Sequence, residues 1–330
     1  MDGQTGSADL SGRISFDDAY VNRVRGAYDL MADEYDIIDR EVSPFYVNDY
    51  RILDHYVDAL RPCWEGCVVL DVGCGTGIQT VQYARGAKRV YSLDFSEKLI
   101  QKLRAKVHAA ALTNVAIIQS DATRIPLGDN TVDFVCASGD VIGHIPNFRQ
   151  AIAEMARVCR PGGTVTLEHD NKWHLGLLLS PRQLLQALST RGVGDVRGWT
   201  HTYLRSDRKA DLLYKTFTVR EMEALLAQHG LAITRRAGIH IFSAMIPDAY
   251  QESNGRPPPC KRFFTRAITT LGRLDFRIRE LAPFNRCSYA TVVVAVKKGR
   301  SRDCLSPARS RASPPPSRPS RPPTPWRRPP

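Results

Sequence analysis

Between residues 67 and 167 short apolar runs alternate with stretches of helical periodicity. Cys67 to Asp71 (CVVLD), Arg89 to Leu93, Val115 to Gln119, Val132 to Ala137 and Thr164 to Leu167 are each suited to a buried strand. Between them, Lys98 to Ala111 follows a Ser96 cap candidate. Phe148 to Cys159 follows Asn147, carries Ala151, Ile152, Met155 and Ala156 on one face, and stops at Arg160-Pro161-Gly162-Gly163. Further on, Thr218 caps a predicted helix through Gln228, Leu231 to Thr234 reads as a sixth strand, and Tyr289 to Val296 as a seventh. Strands separated by helices imply right-handed crossovers and a mainly parallel sheet covered on both faces: an α/β, doubly wound architecture. The pattern alone leaves the direction of the last strand open.

In such a sheet the ligand lies outside the carboxyl ends of the strands. The first of those ends carries Asp71-Val-Gly-Cys-Gly-Thr-Gly77, with a short helix expected near Ile78 to Ala84. Glycine at 73, 75 and 77 permits a tight turn against which a ligand can lie, and the helix start turns free N–H groups toward it. Asp94 ends the second strand, where a carboxylate can accept both hydroxyls of a ribose, and Asp121 follows the third, where one can meet an adenine amino group.

Charge changes this picture only at the end of the chain. Of the formal +12, residues 300 to 330 contribute +7 from eight Arg and one Asp, together with ten of the 21 prolines. So little apolar surface cannot offset the entropy of ordering, and the tail is expected to be disordered. It could act as a polybasic arm for nucleic acid or an acidic membrane. It could also be a polyproline ligand, through Pro322, Pro325 and Arg327. Eight cysteines without a CxxC pair indicate neither a zinc site nor a disulfide framework. The polar start lacks the apolar block of a secretory leader and no run reaches membrane-span length, so a cytoplasmic protein is expected.

The spacing GxGxG, rather than the GxGxxG of dinucleotide enzymes, resembles the first motif of the class I S-adenosylmethionine-dependent methyltransferases. VYSLDFSEKLI is similar to the second motif of that family, and SDATRIPLGDNTVDFV to the third and fourth. EMARVCRPGGTVTLEH is similar to its fourth crossover helix, RPGG turn and fifth strand. AYDLMADEYD is similar to the segment that closes over the cofactor. The small-molecule branch that includes the ubiquinone and menaquinone methyltransferases is the nearest in character. The resemblance implies a Rossmann-like seven-stranded sheet of order 3-2-1-4-5-7-6 with strand 7 antiparallel. It also implies a helical lid over residues 15–62, a catalytic domain over 63–298 with insertions at 171–214 and 239–286, and disordered ends at 1–14 and 299–330.

Carried over onto this chain, the resemblance implies S-adenosyl-L-methionine as cofactor. Asp71 would orient the glycine loop, and Gly73, Cys74, Gly75 and Gly77 would form the wall around the methionine moiety. Asp94 would hold the ribose, Phe95 would pack on adenine, and Asp121 with the Ala122 amide would read the adenine edge. Ser138 and Gly139 would border the sulfonium, and Tyr35 would reach in from the lid. Tyr35 also fits a core position, since Tyr20, Val24, Tyr28 and Met31 precede it at helical spacing.

Methyl transfer needs proximity, alignment and exclusion of water, with a base only where the acceptor must lose a proton. His144 and Asp140, in SGDVIGHIP just past strand four, are the candidates for that role. This stretch is not the (D/N)PP(Y/F) signature of nucleobase and glutamine amino methylation. A small, partly apolar acceptor of quinone, lipid or natural-product type is therefore expected, methylated at O, N or C. Two other readings stand beside it: a tRNA or protein methyltransferase recruited through the basic tail, and a protein that binds the cofactor without turnover.

Overall fold

In the computed structural model, residues 18–33, 35–37, 44–189, 198–203, 209–246 and 261–299 are described. The ends expected to be disordered, 1–14 and from 300 onward, lie outside these, as do parts of both insertions. Among the described residues, the helices α1 (Asp18–Met31), α2 (Tyr35–Ile37), α3 (Pro44–Ala59) and α4 (Arg61–Trp64) precede the sheet. Then come β1 (Val68–Val72), α5 (Ile78–Ala84), β2 (Arg89–Asp94), α6 (Glu97–Ala109), β3 (Val115–Gln119), β4 (Val132–Ala137), α7 (Val141–His144), α8 (Phe148–Val158) and β5 (Cys159–Asp170). The first insertion holds α9 (Pro181–Ser189) and the strands β6 (Gly198–Tyr203) and β7 (Lys209–Tyr214). After it follow α10 (Val219–Gln228), β8 (Leu231–Ile239), α11 (Lys261–Ile278) and β9 (Ala290–Lys297).

Seven strands form one sheet in the order β3-β2-β1-β4-β5-β9-β8, which is the implied 3-2-1-4-5-7-6 with the inserted hairpin set aside. The first five are parallel, and β9 runs antiparallel between β5 and β8. Strand alternation divides the core. Leu70, Val72, Val135, Ala137, Val165 and Leu167 face one side, where α8 offers Ala151, Ile152 and Met155 and α10 offers Met222, Leu225 and Leu226. Val69, Phe134, Cys136, Val292 and Val294 face the other, under Ile52, Leu53, Tyr56 and Val57 of α3 together with Trp64. At about 1.5–3 kcal/mol for each large side chain buried, these two layers dominate the stabilisation of the domain.

Helix starts follow local chemistry. Ser96 accepts the Leu99 N–H at 3.2 Å, Asn147 accepts that of Gln150 at 3.4 Å, and Thr218 with Glu221 completes a reciprocal capping box. The structure departs from the pattern in two strands. β5 begins at Cys159, before the Pro161-Gly162-Gly163 turn, because Val132 already pairs with Cys159; a register irregularity before Phe134↔Thr164 then takes up the turn. β8 continues to Ile239 rather than ending at Thr234, since the pair Arg235-Arg236 breaks the apolar run at an edge strand bulged between Ile233 and Arg235. No helix among the described residues is long and apolar enough to cross a membrane.

The insertions flank the carboxyl end of the sheet. β6 and β7 pair as a separate antiparallel ribbon whose second strand lies against α1 and α7. α11 packs on α3, and its buried Asp275 accepts the N–H groups of Ile241, Phe242 and Ser243.

Candidate functional site

At the carboxyl ends of β1, β2 and β4 lies a cavity that is partly open to solvent. Its floor is the turn after β1. Gly73, Gly75 and Gly77 all take left-handed backbone, at φ of 65°, 53° and 87°. Bonds to β2 and within the turn hold it: Cys74 N–H donates to Leu93 O at 3.0 Å, Gly75 N–H to Asp94 Oδ2 at 2.8 Å, and Gly77 N–H to Cys74 O at 2.8 Å. A Cβ on Gly73 would come within 2.6 Å of Val141, and one on Gly77 would overlap the Leu103 side chain. Gly77→Ala is therefore expected to cost about 2 kcal/mol, read as a lower denaturation midpoint at unchanged slope.

Asp94 is the hinge of the site. Its Oδ1 accepts the Ser96 N–H at 2.9 Å while Oδ2 holds Gly75, so one carboxyl joins the first two strand ends. Burial raises its pKa, and the amides of Ser96, Gly75 and Phe95 oppose that shift. Asp121 follows β3 with its Oδ1 turned back to accept the Thr123 N–H at 2.7 Å. Phe95 is met edge-on by Tyr28 at 6.1 Å, with the Arg25 guanidinium 5.6 Å from its ring centre.

Of the residues expected at the site, the structure brings Tyr35, Gly73, Gly75, Asp94, Phe95, Asp121, Ala122, Ser138, Gly139 and His144 together on the cavity wall. Asp71, Cys74, Gly77 and Asp140 are not among its lining residues. Asp71 is buried beneath the turn, where it accepts the Thr80 hydroxyl at 2.6 Å and the Cys136 thiol at 3.3 Å; burial raises its pKa to about 6. It holds the first turn of α5 and does not face the cavity. Tyr35 stands apart from α1, on the short α2, and its ring lies 4.0 Å from where a Gly75 Cβ would be.

Val21, Tyr28, Leu93, Leu99, Ser120, Val141, Ile145 and Pro146 also line the cavity, unremarked in the sequence. Tyr28 had a signal: it shares the helical spacing of Tyr35, and Val24 and Met31 on the same helix are buried while Tyr28 is only partly so. Polar contacts tie the N-terminal segment over the turn. Ser96 Oγ donates to Asp29 at 2.5 Å, Lys106 pairs with Asp36 at 2.7 Å, and Thr76 bonds Asp36.

His144 ends α7, with its side chain 19% exposed and its ring edge-on to Tyr28 at 6.0 Å. Asp140 precedes the helix in left-handed backbone, φ 51°, and its Oδ1 accepts the Asp170 N–H at 3.2 Å. Its Oδ2 stands 3.9 Å from His144 Nε2, beyond hydrogen-bond length.

Residues 70–167 match a family model described as a methyltransferase domain. The chain is 33% identical over 146 residues to a demethylmenaquinone methyltransferase of Bacillus mycoides and 31% identical over 148 residues to one of Shouchella clausii. Each alignment takes in 43% of this chain and 60% of the relative, so the chain spans about three fifths of the length of the curated relatives it matches. In three dimensions it is similar to the [4+2]-cyclase SpnF, with TM-score 0.55 at 16% identity over 84% of this chain and 96% of that one. It is also similar to an S-adenosylmethionine-dependent methyltransferase of Methanosarcina mazei, with TM-score 0.50 at 18% identity over 76% and 98%.

Proposed function

We propose that the protein, whose residues 70–167 match a methyltransferase domain, is a class I S-adenosylmethionine-dependent enzyme that transfers a methyl group to O, N or C of a small, partly apolar acceptor of quinone, lipid or natural-product type. One observation carries this reading. The cavity lined by the glycine turn, Asp94 and Asp121 is lined also by Val21, Tyr28, Val141, Ile145 and Pro146. Polar groups suited to a nucleoside thus share one cavity with apolar groups suited to an acceptor. The relatives named for demethylmenaquinone point the same way.

The residues present fit the cofactor. The turn presents bare backbone where a Cβ on Gly73 would strike Val141, and Gly139 faces open space. A carboxylate offers about four lone-pair positions, so Asp94 can accept ribose hydroxyls while keeping Gly75 and Ser96. Asp121 and the Ala122 amide supply an acceptor and a donor for the adenine edge, with Phe95 beside it. Bound there, S-adenosylmethionine would supply a methyl group on a positively charged sulfur, whose bond breaks with its electron pair left on sulfur. The protein aligns the acceptor, excludes water with Tyr28 and Tyr35, and places His144 to take a proton where the acceptor carries one.

The test is incubation with methyl-labelled cofactor and a small-molecule extract and, separately, with RNA, followed by mass spectrometry. Label is expected in an apolar small molecule, with S-adenosylhomocysteine formed in equal amount. Label in RNA alone would transfer the assignment to a macromolecular acceptor, and binding without turnover would remove the transferase reading.

A further inference from the structure

One peptide behind the cavity wall lies a cluster of acids that this reading leaves unused. Glu168, near the end of β5, is 5% exposed, and its Oε2 accepts the N–H of the wall residue Gly139 at 2.7 Å. Asp140, next in the chain and set behind the wall, is 8% exposed and is held by the Asp170 amide. Both ends of the turn after β4 are therefore fastened to the end of β5. Asp49 of α3 acts on Glu168 and has its own Oδ1 2.8 Å from His240 Nε2, the contact lacking hydrogen-bond geometry. His144 stands beside Asp140, and Lys215, whose N–H donates to Gly143 O, keeps its ammonium on Glu221 at 2.9 Å.

Buried carboxyls with no Lys or Arg paired to them resist ionisation, and Glu168 and Asp140 have none among the described residues. Burial, then Asp49, raises Glu168 to about 8, against the opposing Gly139 and Asp140 amides. Burial, then Asp170 and Glu168, pushes Asp140 well above the usual carboxylate range. A positive charge arriving on the Gly139 side of the cavity reverses that balance. The cofactor and its demethylated product differ by one such charge, at the sulfur.

We propose that Glu168 and Asp140 read the charge of the bound nucleoside: they ionise when a sulfonium occupies the cavity beside Gly139, and so favour the methylated cofactor over its neutral product. The proposal rests on the cofactor assignment above. A unit charge several ångströms away, through protein of effective dielectric about 20, shifts a carboxyl by about one pK unit or more, a factor of about ten in affinity. Cation binding lowers the carboxyl pKa, so a proton leaves over the window between the bound and free values, and by linkage cation affinity rises with pH across that window. For Glu168 the rise ends above about 8, where the empty protein is already ionised. The neutral product gains nothing over the same range. Near neutral pH the spent nucleoside is thus held less tightly than the fresh one.

Titration calorimetry of the full chain tests this, with S-adenosylmethionine and S-adenosylhomocysteine as separate ligands. It is run at about pH 7.5 in two buffers of different ionisation enthalpy, and then between about pH 6.5 and 9. We expect proton release with the sulfonium ligand in excess of that with the thioether, and a preference for the sulfonium that grows about tenfold over the range. The amino group of the ligand also titrates there, so the reading is the difference between wild type and Glu168→Gln. That variant's amide can still accept the Gly139 N–H but cannot ionise, and it should lose most of the excess. Asp140→Asn serves as a second variant if the first does not fold. Equal proton release by wild type and variants, with both ligands bound, would overturn the charge-reading role alone. Failure of wild type to bind either ligand would overturn the cofactor assignment with it.

Discussion

His144→Ala is expected to slow single-turnover methyl transfer at saturating cofactor by about a hundredfold or more, with cofactor affinity nearly unchanged. The imidazole lines the cavity together with its chain neighbours Val141, Ile145 and Pro146. It is partly exposed, and its orientation is set by the Tyr28 ring and by its position at the end of α7. A group so placed can take a proton from an acceptor hydroxyl or ammonium as the new bond forms, without contributing to nucleoside binding. The measurement is rapid-quench transfer with an acceptor identified from extract. A rate within about threefold of the parent would leave alignment and exclusion of water as the whole mechanism.

The second large effect is at Asp94. Removing its carboxyl takes away the ribose acceptor and also leaves the buried N–H groups of Gly75 and Ser96 without their partner. Asp94→Ala should weaken S-adenosylmethionine by about 1–3 kcal/mol, roughly 5- to 150-fold, measured by calorimetry on protein shown to be folded. Asp94→Asn should weaken it less, since an amide oxygen can still accept one of the two bonds. Unchanged affinity in a folded alanine variant would remove Asp94 from the site.

The parts of this fold that the sequence discloses are those where one local force decides. β3, β4 and α10 keep the bounds read from their apolar runs and caps, because each is a short apolar strand or a capped helix bounded by turn residues. β8 was foreshortened because its second half mixes arginine with small residues and is held by ladder bonds to β9, a long-range interaction that no local pattern shows. The β6–β7 ribbon escaped notice for a similar reason: GWTHTY and KADLLY do not show a plain apolar run or strict alternation.

At the site the same division holds. Glycines and acids at strand ends were legible because their chemistry is tied to one position in the chain. Which way an acid turns was not: Asp71 and Asp94 both end strands, yet Asp71 is claimed by Thr80 below the turn while Asp94 reaches the cavity. Glu168 gave no signal, since its partner Gly139 is 29 residues away and joins it only through the pairing of β4 with β5.

The N-terminal segment of α1 and α2 meets the rest of the molecule through Asp29, Asp36, a small cluster of Ala27 and Met31 with Tyr28, Leu30 and Tyr35, and the packing of α1 on β7. Exposed ion pairs of this kind are worth at most about 1 kcal/mol each and weaken with added salt. Lifting this segment therefore costs far less than unfolding the sheet, and the domain can exchange its nucleoside through a local opening while the core stays intact. Ionic strength is therefore expected to act on residence time, with the ligand released faster as salt rises.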